Sequence, residues 1–384
     1  MRIGFFADMY LPHVSGVTNH ISLYKRRFED LGHDVFVFTF GDREYEDTEP
    51  NVVRSPGLPW GETGWRFALA LSPEARRLAE TLDVIHVHHP FQSGRLATPV
   101  AEACGVPLVF TNHTRYDLYS DAYATFVPRA ARYAFLRGSL GGFLRRCDLV
   151  VAPAASIADW LHEFSGFDGA TVVPNGVDTT AFARPVAPFT RADLGFDESD
   201  VVFCYAGRLG PEKNTPWLAE EFAAAAERSP RARLLVVGDG PSRAAAEAAL
   251  TRAGVSGRAN FIGMVPYDRM PDYEAAADVF VTGSVSEVHP LVVLEAMAAG
   301  LPVVAVSSPG IADTVADTVS GLLAPAATPG ALAERMELLA GNDSLRHRMA
   351  NAARVASAAY SLPRTADVLL GMYERLVAEK AASR

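Results

Sequence analysis

The sequence predicts an α/β fold of two doubly wound, Rossmann-like domains facing a central cleft. Three observations predict it. Short apolar runs alternate with amphipathic stretches, the alternation occurs twice, and a polar, proline-containing stretch at 178–200 separates the two sets. Alternating β and α elements imply parallel sheets with right-handed crossovers. At 384 residues the chain is long for one core and comfortable for two.

In the first set, strands are expected at 3–7, 35–40, 84–88, 108–112, 149–152 and 171–173, with helices such as 18–31 and 73–81 between them. Most of these strands are continuous apolar runs, as suits parallel strands covered on both faces. The second set places strands at 201–206, 233–237, 260–262, 279–282 and 303–306. Its helices include 215–226, 243–253 and 290–299. A last helix near 365–380 follows Pro363 and is expected to cross back to the first domain. The expected boundaries are 1–185, 186–362 and a C-terminal helix in 363–384.

Composition narrows the function classes. The net charge of −10 argues against a general nucleic-acid binder. Cys104, Cys147 and Cys204 lie far apart with no metal-ligand or CxxC spacing, and read as reduced, buried thiols. The N-terminus starts directly as a strand, without the features of a signal peptide, and no apolar run is long enough to span a bilayer. The expectation is a cytoplasmic protein, attached at most peripherally to the inner face of the plasma membrane.

Ligands of doubly wound sheets bind beyond the carboxyl ends of the strands. After strand 201–206 comes Gly207-Arg208-Leu209-Gly210-Pro211-Glu212-Lys213-Asn214 and then a helix. A guanidinium fork and an ammonium in such a turn suit a diphosphate, although a solvated turn with two surface cations has the same sequence. Gly238-Asp239-Gly240 lacks the remaining glycines of a dinucleotide fingerprint and reads as a tight turn in which backbone can approach a ligand. Around Val265, backbone groups past strand 260–262 could meet a nucleobase.

The most informative segment runs from Gly283 to Gly300. Pro290 and Gly300 bracket a short helix whose faces are nearly all apolar, yet Glu295 stands in its interior. A buried carboxylate needs a polar partner. Glu287 precedes the helix in a strand-to-helix loop. Eight helical residues rise roughly 12 Å, whereas hydrolytic carboxylate pairs sit about 5–9.5 Å apart. The spacing therefore favours two grips on one extended ligand over an acid/base pair. Between them, the first-turn N–H groups of Leu291 and Val292 offer an anion site. Two hydroxyl-binding carboxylates around a phosphate-binding helix end describe a nucleotide sugar.

These residues resemble the retaining glycosyltransferases of the glycogen-synthase-like family four, which have the GT-B fold. The resemblance rests on Glu287…Glu295, on Ala-Met-Ala-Ala-Gly-Leu-Pro-Val-Val at 296–304, on Arg208 and Lys213, and on Pro174-Asn175-Gly176-Val177-Asp178. It implies an N-terminal acceptor-side domain and a C-terminal nucleotide-sugar-binding domain. It also implies that Arg208 and Lys213 hold the β-phosphate, Glu295 the ribose hydroxyls and Glu287 the transferred sugar. Gly16 would bring backbone N–H to the diphosphate, and His113 would approach the sugar and the reacting centre. One departure stands out: where the family often has Phe-Gly, this chain has His289-Pro290, which removes one backbone N–H and offers an imidazole that could alter sugar choice.

Ile85-His86-Val87-His88-His89-Pro90-Phe91 and His113-Thr114-Arg115-Tyr116-Asp117-Leu118-Tyr119 look like the diacylglycerol glucosyltransferases and their relatives. The resemblance implies a hexosyl transfer with retention from a nucleoside-diphosphate sugar, by same-face attack assisted by the leaving phosphate. UDP-glucose is the favoured donor, with GDP-sugars as the alternative. The acceptor is expected to be a lipid such as diacylglycerol, or a small molecule. No cofactor or metal is expected, since the resemblance implies a mechanism without a metal and no carboxylate cluster flanks the histidines at 86, 88 and 89, which read first as packing and turn hydrogen bonds at a strand end. A basic, aromatic stretch containing Arg129, Arg132, Arg137, Arg145 and Arg146 has no acidic residue between Asp121 and Asp148. It reads as a surface for an anionic membrane, or as two amphipathic helices broken at Gly138 and Gly141-Gly142. A sugar-nucleotide epimerase and a catalytically silent binding subunit are the rival readings.

Overall fold

A computed structural model describes residues 1–41, 45–60, 65–124 and 126–383. The chain divides into two compact units, Met1–Gly176 with Leu362–Arg384, and Val177–Ser361. In chain order the strands are β1 (Arg2–Phe6), β2 (Asp34–Gly41), β3 (Val52–Pro56), β4 (Leu58–Trp60), β5 (Trp65–Phe67), β6 (Val84–Val87), β7 (Leu108–Thr111), β8 (Leu149–Ala152) and β9 (Ala170–Val172). They continue with β10 (Val201–Ala206), β11 (Ala232–Val237), β12 (Ala259–Gly263), β13 (Val279–Thr282), β14 (Val303–Val306) and β15 (Gly321–Ala324).

Among the described residues, the first unit carries a seven-stranded sheet in the order β3-β2-β1-β6-β7-β8-β9, and the second a six-stranded sheet in the order β12-β11-β10-β13-β14-β15. Every pairing in both sheets is parallel. In each, the strand order reverses next to the first strand, between β1 and β6 and between β10 and β13. That reversal opens a crevice at the carboxyl ends of the strands.

The central strands are largely apolar, with His86 in β6 and a terminal threonine in β7 and β13, and β6, β7, β10, β13 and β14 are buried along their whole length. Sequence reading does not anticipate β3, β15 or the antiparallel β4–β5 ribbon. β3 and β15 are edge strands. β3 carries Arg54 and ends at Pro56, whose missing N–H is tolerated at an edge, and β15 spans only four residues.

The helix Arg129–Leu144 runs unbroken through Gly138, Gly141 and Gly142, contrary to the break expected there. Gly141 is buried, and a Cβ on it would lie 3.0 Å from the Ser165 carbonyl oxygen. The glycine serves close packing and does not end the helix. The thiol expectation also needs correction: all three cysteines are free, but only Cys204 is buried.

The last helix, Leu362–Ala382, packs on Gly16–Asp30 within the first unit. Tyr24 Oη donates to Thr365 Oγ1 at 2.8 Å, Lys380 Nζ lies 2.8 Å from Asp148, and Tyr373 is fully buried. Gly176 ends the unit's first stretch under tight constraint, since a Cβ there would meet Thr365 Oγ1 at 2.0 Å. Among the described residues no helix is long and apolar enough to cross a membrane.

Candidate active site

In the second unit, the candidate residues gather at the crevice between β10 and β13. The β10 turn is shaped by glycines. Gly207, Gly238 and Gly240 all have positive φ. A Cβ on Gly238 would lie 1.9 Å from the Gly207 carbonyl oxygen, and one on Gly240 would lie 2.6 Å from that of Leu209. The GxG turn after β11 is the tight turn expected from sequence, and its glycines let the backbone of 207–209 pack against it. Leu209 N–H donates to the Asp239 carbonyl at 2.9 Å, and Ser242 N–H returns the bond to Leu209. This clasp fixes the turn that carries Arg208.

Arg208 and Lys213 are both engaged with carboxylates. Arg208 Nη2 donates to Glu212 Oε1 at 2.5 Å, with the guanidinium half-exposed. Asn214 takes the left-handed conformation, φ 54°, between the Pro211–Lys213 turn and the following helix, a geometry asparagine tolerates better than most residues. Lys213 Nζ then reaches Glu287 Oε1 at 2.6 Å. Sequence-distant Lys213 and Glu287 are thus brought into direct contact. Both cations are held ready at the crevice with their charges locally balanced.

The loop bearing Glu287 is braced from behind. A Cβ on Gly310 would lie 2.0 Å from the Val288 carbonyl oxygen, so the backbone at 310 abuts the 287–289 segment. His289 is buried, its ring edge-on to Tyr360 at 5.4 Å, and burial lowers its pKa to about 4, so it is neutral. Pro290 is the N-cap with extended backbone, one position earlier than the first helical position that sequence suggests. The helix is Leu291–Ala299. The N–H groups of Leu291 and Val292 lie in its first turn, where no intrahelical acceptor exists. Gly300 closes the helix in the left-handed conformation.

Glu295 is buried in this helix, and its partner is Tyr267, whose hydroxyl donates to Oε1 at 2.6 Å. Burial raises the Glu295 pKa to about 7, while the tyrosine hydrogen bond pulls it down. Val265, two residues before Tyr267, packs half-buried against the core around Cys204. Sequence reading missed Tyr267, and also Glu274. Glu274 is fully buried with neither carboxylate oxygen hydrogen-bonded, and burial, with the Glu295 charge, drives its pKa well up. It is held protonated. No sequence signal marks it beyond a glutamate in an apolar stretch.

The first unit gathers histidines at the carboxyl ends of its strands. Gly16 opens the helix Gly16–Asp30, capped by reciprocal bonds between Ser15 and Thr18. Nothing lies within 4 Å of a Cβ placed on Gly16, so packing inside this unit does not demand glycine there. One turn on, His20 meets His113, with ring centroids 4.7 Å apart. His113 Nε2 lies 3.0 Å from His88 Nδ1. The other two histidines are committed elsewhere. His86 bonds Tyr373 Oη at 2.5 Å and Thr111 Oγ1 at 2.8 Å, and His89 Nδ1 accepts the Asp8 N–H at 3.1 Å. Burial, with neighbouring imidazoles, pushes His86, His88 and His113 well below the ordinary histidine value. These rings are neutral. His20 was missed by sequence reading, although its position four residues after Gly16 places it on the same helix face.

The basic stretch is less basic in place than in sequence. Arg129 and Arg132 both pair with Asp121, at 3.4 and 3.0 Å, and Arg146 grips Glu102 at 2.8 Å. Arg137 lies over the Phe164 ring, and Arg145 is exposed. Phe126 and Phe135 stand 86% and 66% exposed beside them.

Comparison with known proteins places the chain in a family. Residues 186–356 match the family described as Glycosyl transferases group 1, and residues 14–181 match Glycosyltransferase Family 4. The chain is 30% identical over 334 residues to the alpha-monoglucosyldiacylglycerol synthase of Streptococcus pneumoniae, covering 84% of this chain and 75% of that one. It is 31% identical to the D-inositol 3-phosphate glycosyltransferase of Kribbella flavida, covering 96% and 92%. Its fold matches that of HepE from Anabaena, solved with UDP and glucose, at a TM-score of 0.78 and 20% identity, over 98% of this chain and 100% of that one. The chain belongs to the group 1 glycosyltransferases of GT-B fold, with a Glycosyltransferase Family 4 domain in its first half.

Proposed function

We propose that this glycosyltransferase moves a hexosyl unit from a nucleoside-diphosphate sugar, UDP-glucose foremost, to a lipid hydroxyl such as that of diacylglycerol, with retention of configuration. The observation that carries the donor half is the contact of Lys213 with Glu287, beside Arg208 and the Leu291 helix start, at the β10–β13 crevice. Negative charge grows on the diphosphate as the glycosidic bond breaks. Arg208, Lys213 and the amides of Leu291 and Val292 stabilise that charge where it develops. Glu287 accepts from sugar hydroxyls and Glu295 from the ribose, while Val265 lies where backbone meets the base. Gly16 admits the diphosphate from the first unit, and neutral His113 faces the sugar. The acceptor hydroxyl attacks on the face the phosphate leaves, and the leaving phosphate takes its proton.

The lipid acceptor draws support from the S. pneumoniae relative. The exposed Phe126 and Phe135 with Arg137 and Arg145 supply a surface that suits an anionic bilayer. The similarity to the K. flavida enzyme favours a soluble acceptor as the second reading. Labelled UDP-glucose and GDP-mannose, incubated with diacylglycerol in mixed micelles or with inositol 3-phosphate, separate the two. Glucosyl transfer to diacylglycerol is expected. Product on the soluble acceptor alone would replace the lipid reading, and epimer formation without any acceptor would overturn transfer.

A further inference from the structure

We propose that His20, His88 and His113 form a binding site for a nitrogen-preferring divalent cation such as Zn2+, and that its occupancy inhibits the enzyme. The three residues come from different elements: the helix after β1, the end of β6 and the end of β7. One ring nitrogen from each lies within 4.8 Å of the others. In a tetrahedral Zn2+ site with bonds of about 2.0–2.1 Å, ligand nitrogens stand roughly 3.3 Å apart. The His88–His113 separation of 3.0 Å already matches one such edge. The His20 edges require a closure of at most about 1.5 Å, within reach of a side-chain torsion on a helix.

The surroundings select these three rings from five. His86 spends both ring nitrogens on Tyr373 and Thr111, and His89 spends Nδ1 on the Asp8 backbone. His88 offers Nδ1, which already faces His113 Nε2, and no other group among the described residues engages its buried Nε2, which carries the ring proton when Nδ1 binds. Phe5 and His86 wall His88 on the sheet side, and Tyr24 stacks on His20. Three imidazoles with no thiolate and no carboxylate favour Zn2+, Cu2+ or Ni2+ over Mg2+. Three protein ligands leave a fourth position open to water. The cation gains three dative bonds from lone pairs on neutral rings, and no oxidation state changes.

Inhibition rests on the proposed place of His113 beside the sugar, because a ring bound to metal cannot also serve the substrate. Metal binding itself does not rest on that reading. Zn2+ titration of the chelator-treated full-length protein against a chromophoric chelator should show one equivalent bound. Co2+ should give the intense visible bands of a four-coordinate site, and X-ray absorption of the Zn2+ form should report imidazole nitrogens. His20→Gln and His88→Gln should each weaken binding at least about tenfold, while Arg208→Ala should not. Absence of a stoichiometric site in the wild type overturns the proposal. So does unchanged affinity in both histidine variants, with folding checked by circular dichroism. Should those variants fail to fold, the wild-type Co2+ and X-ray spectra decide alone. Bound Zn2+ with unaltered transfer rate would overturn the inhibitory link.

Discussion

The two units share one topology and place opposite chemistry at the same point in it. At the β10–β13 crevice stand ionic pairs, Arg208 with Glu212 and Lys213 with Glu287, in which the cations reach solvent more than their carboxylate partners. At the β1–β6 crevice stand buried His88 and half-buried His113, both held neutral by desolvation and neighbouring imidazoles. The difference teaches that the fold supplies a place and the strand-end residues supply the task. Balanced charges that can be traded for a diphosphate suit the donor, while neutral rings suit hydroxyl groups.

The sharpest way to break that comparison is to remove a cation. Arg208→Ala or Lys213→Ala should lower kcat by about 100- to 1,000-fold, as for the loss of one transition-state stabiliser. Lys213→Ala carries the added penalty of an unpaired, largely buried Glu287. His113→Ala should lower kcat while leaving UDP affinity nearly unchanged. Equal losses of UDP affinity in the two units would erase the proposed division of labour.

The next effect is read in pH. The folded pKa of Glu295 is raised to about 7 from an ordinary 4.5. The native state therefore binds its proton more tightly, so this contribution is fully present below about pH 4.5 and is lost as pH rises through 7. The linked loss amounts to about 3 kcal/mol. Glu295→Gln should flatten that slope in urea unfolding, and an unchanged slope would remove Glu295 as its source. Tyr267→Phe removes the bond that pulls the value down and should carry the transition higher. Because an ionised carboxylate accepts two hydroxyls, donor affinity should tighten as pH rises through 7.

Smaller still is Gly310→Ala, whose Cβ must displace the Val288 carbonyl. It should cost about 1–3 kcal/mol of stability and weaken donor binding through the Glu287 loop. Ordinary Tm and donor affinity would exclude that brace. Smallest is Phe135→Ser, which should reduce flotation with anionic vesicles a few-fold and leave transfer to a soluble acceptor unaffected.

Much of this was legible in the sequence because buried parallel strands announce themselves as continuous apolar runs, because Glu287, Arg208 and Lys213 sit in punctuated turns, and because Glu295 interrupts an otherwise apolar helix. Edge strand β3 was not, since it is mostly half-exposed and carries Arg54 and Pro56, and β15 was passed over although it is a buried apolar run. Gly141 misled, because a glycine chosen for close packing reads like a helix stop. Tyr267, His20 and Glu274 were invisible for another reason: their significance lies in partners brought close only by folding. The arginine stretch shows the reverse, with Asp121 and Glu102 neutralising charges that stood unopposed in the linear text.

The most direct test is thermal unfolding of the full chain with and without UDP-glucose. At one hundred times its dissociation constant, a ligand that binds only the native state adds about 2.7 kcal/mol. The expected result is a rise in Tm with UDP-glucose that largely disappears in Arg208→Ala and Lys213→Ala and persists in His113→Ala. No rise with any nucleotide sugar, or an equal rise in the cation variants, would contradict the donor site.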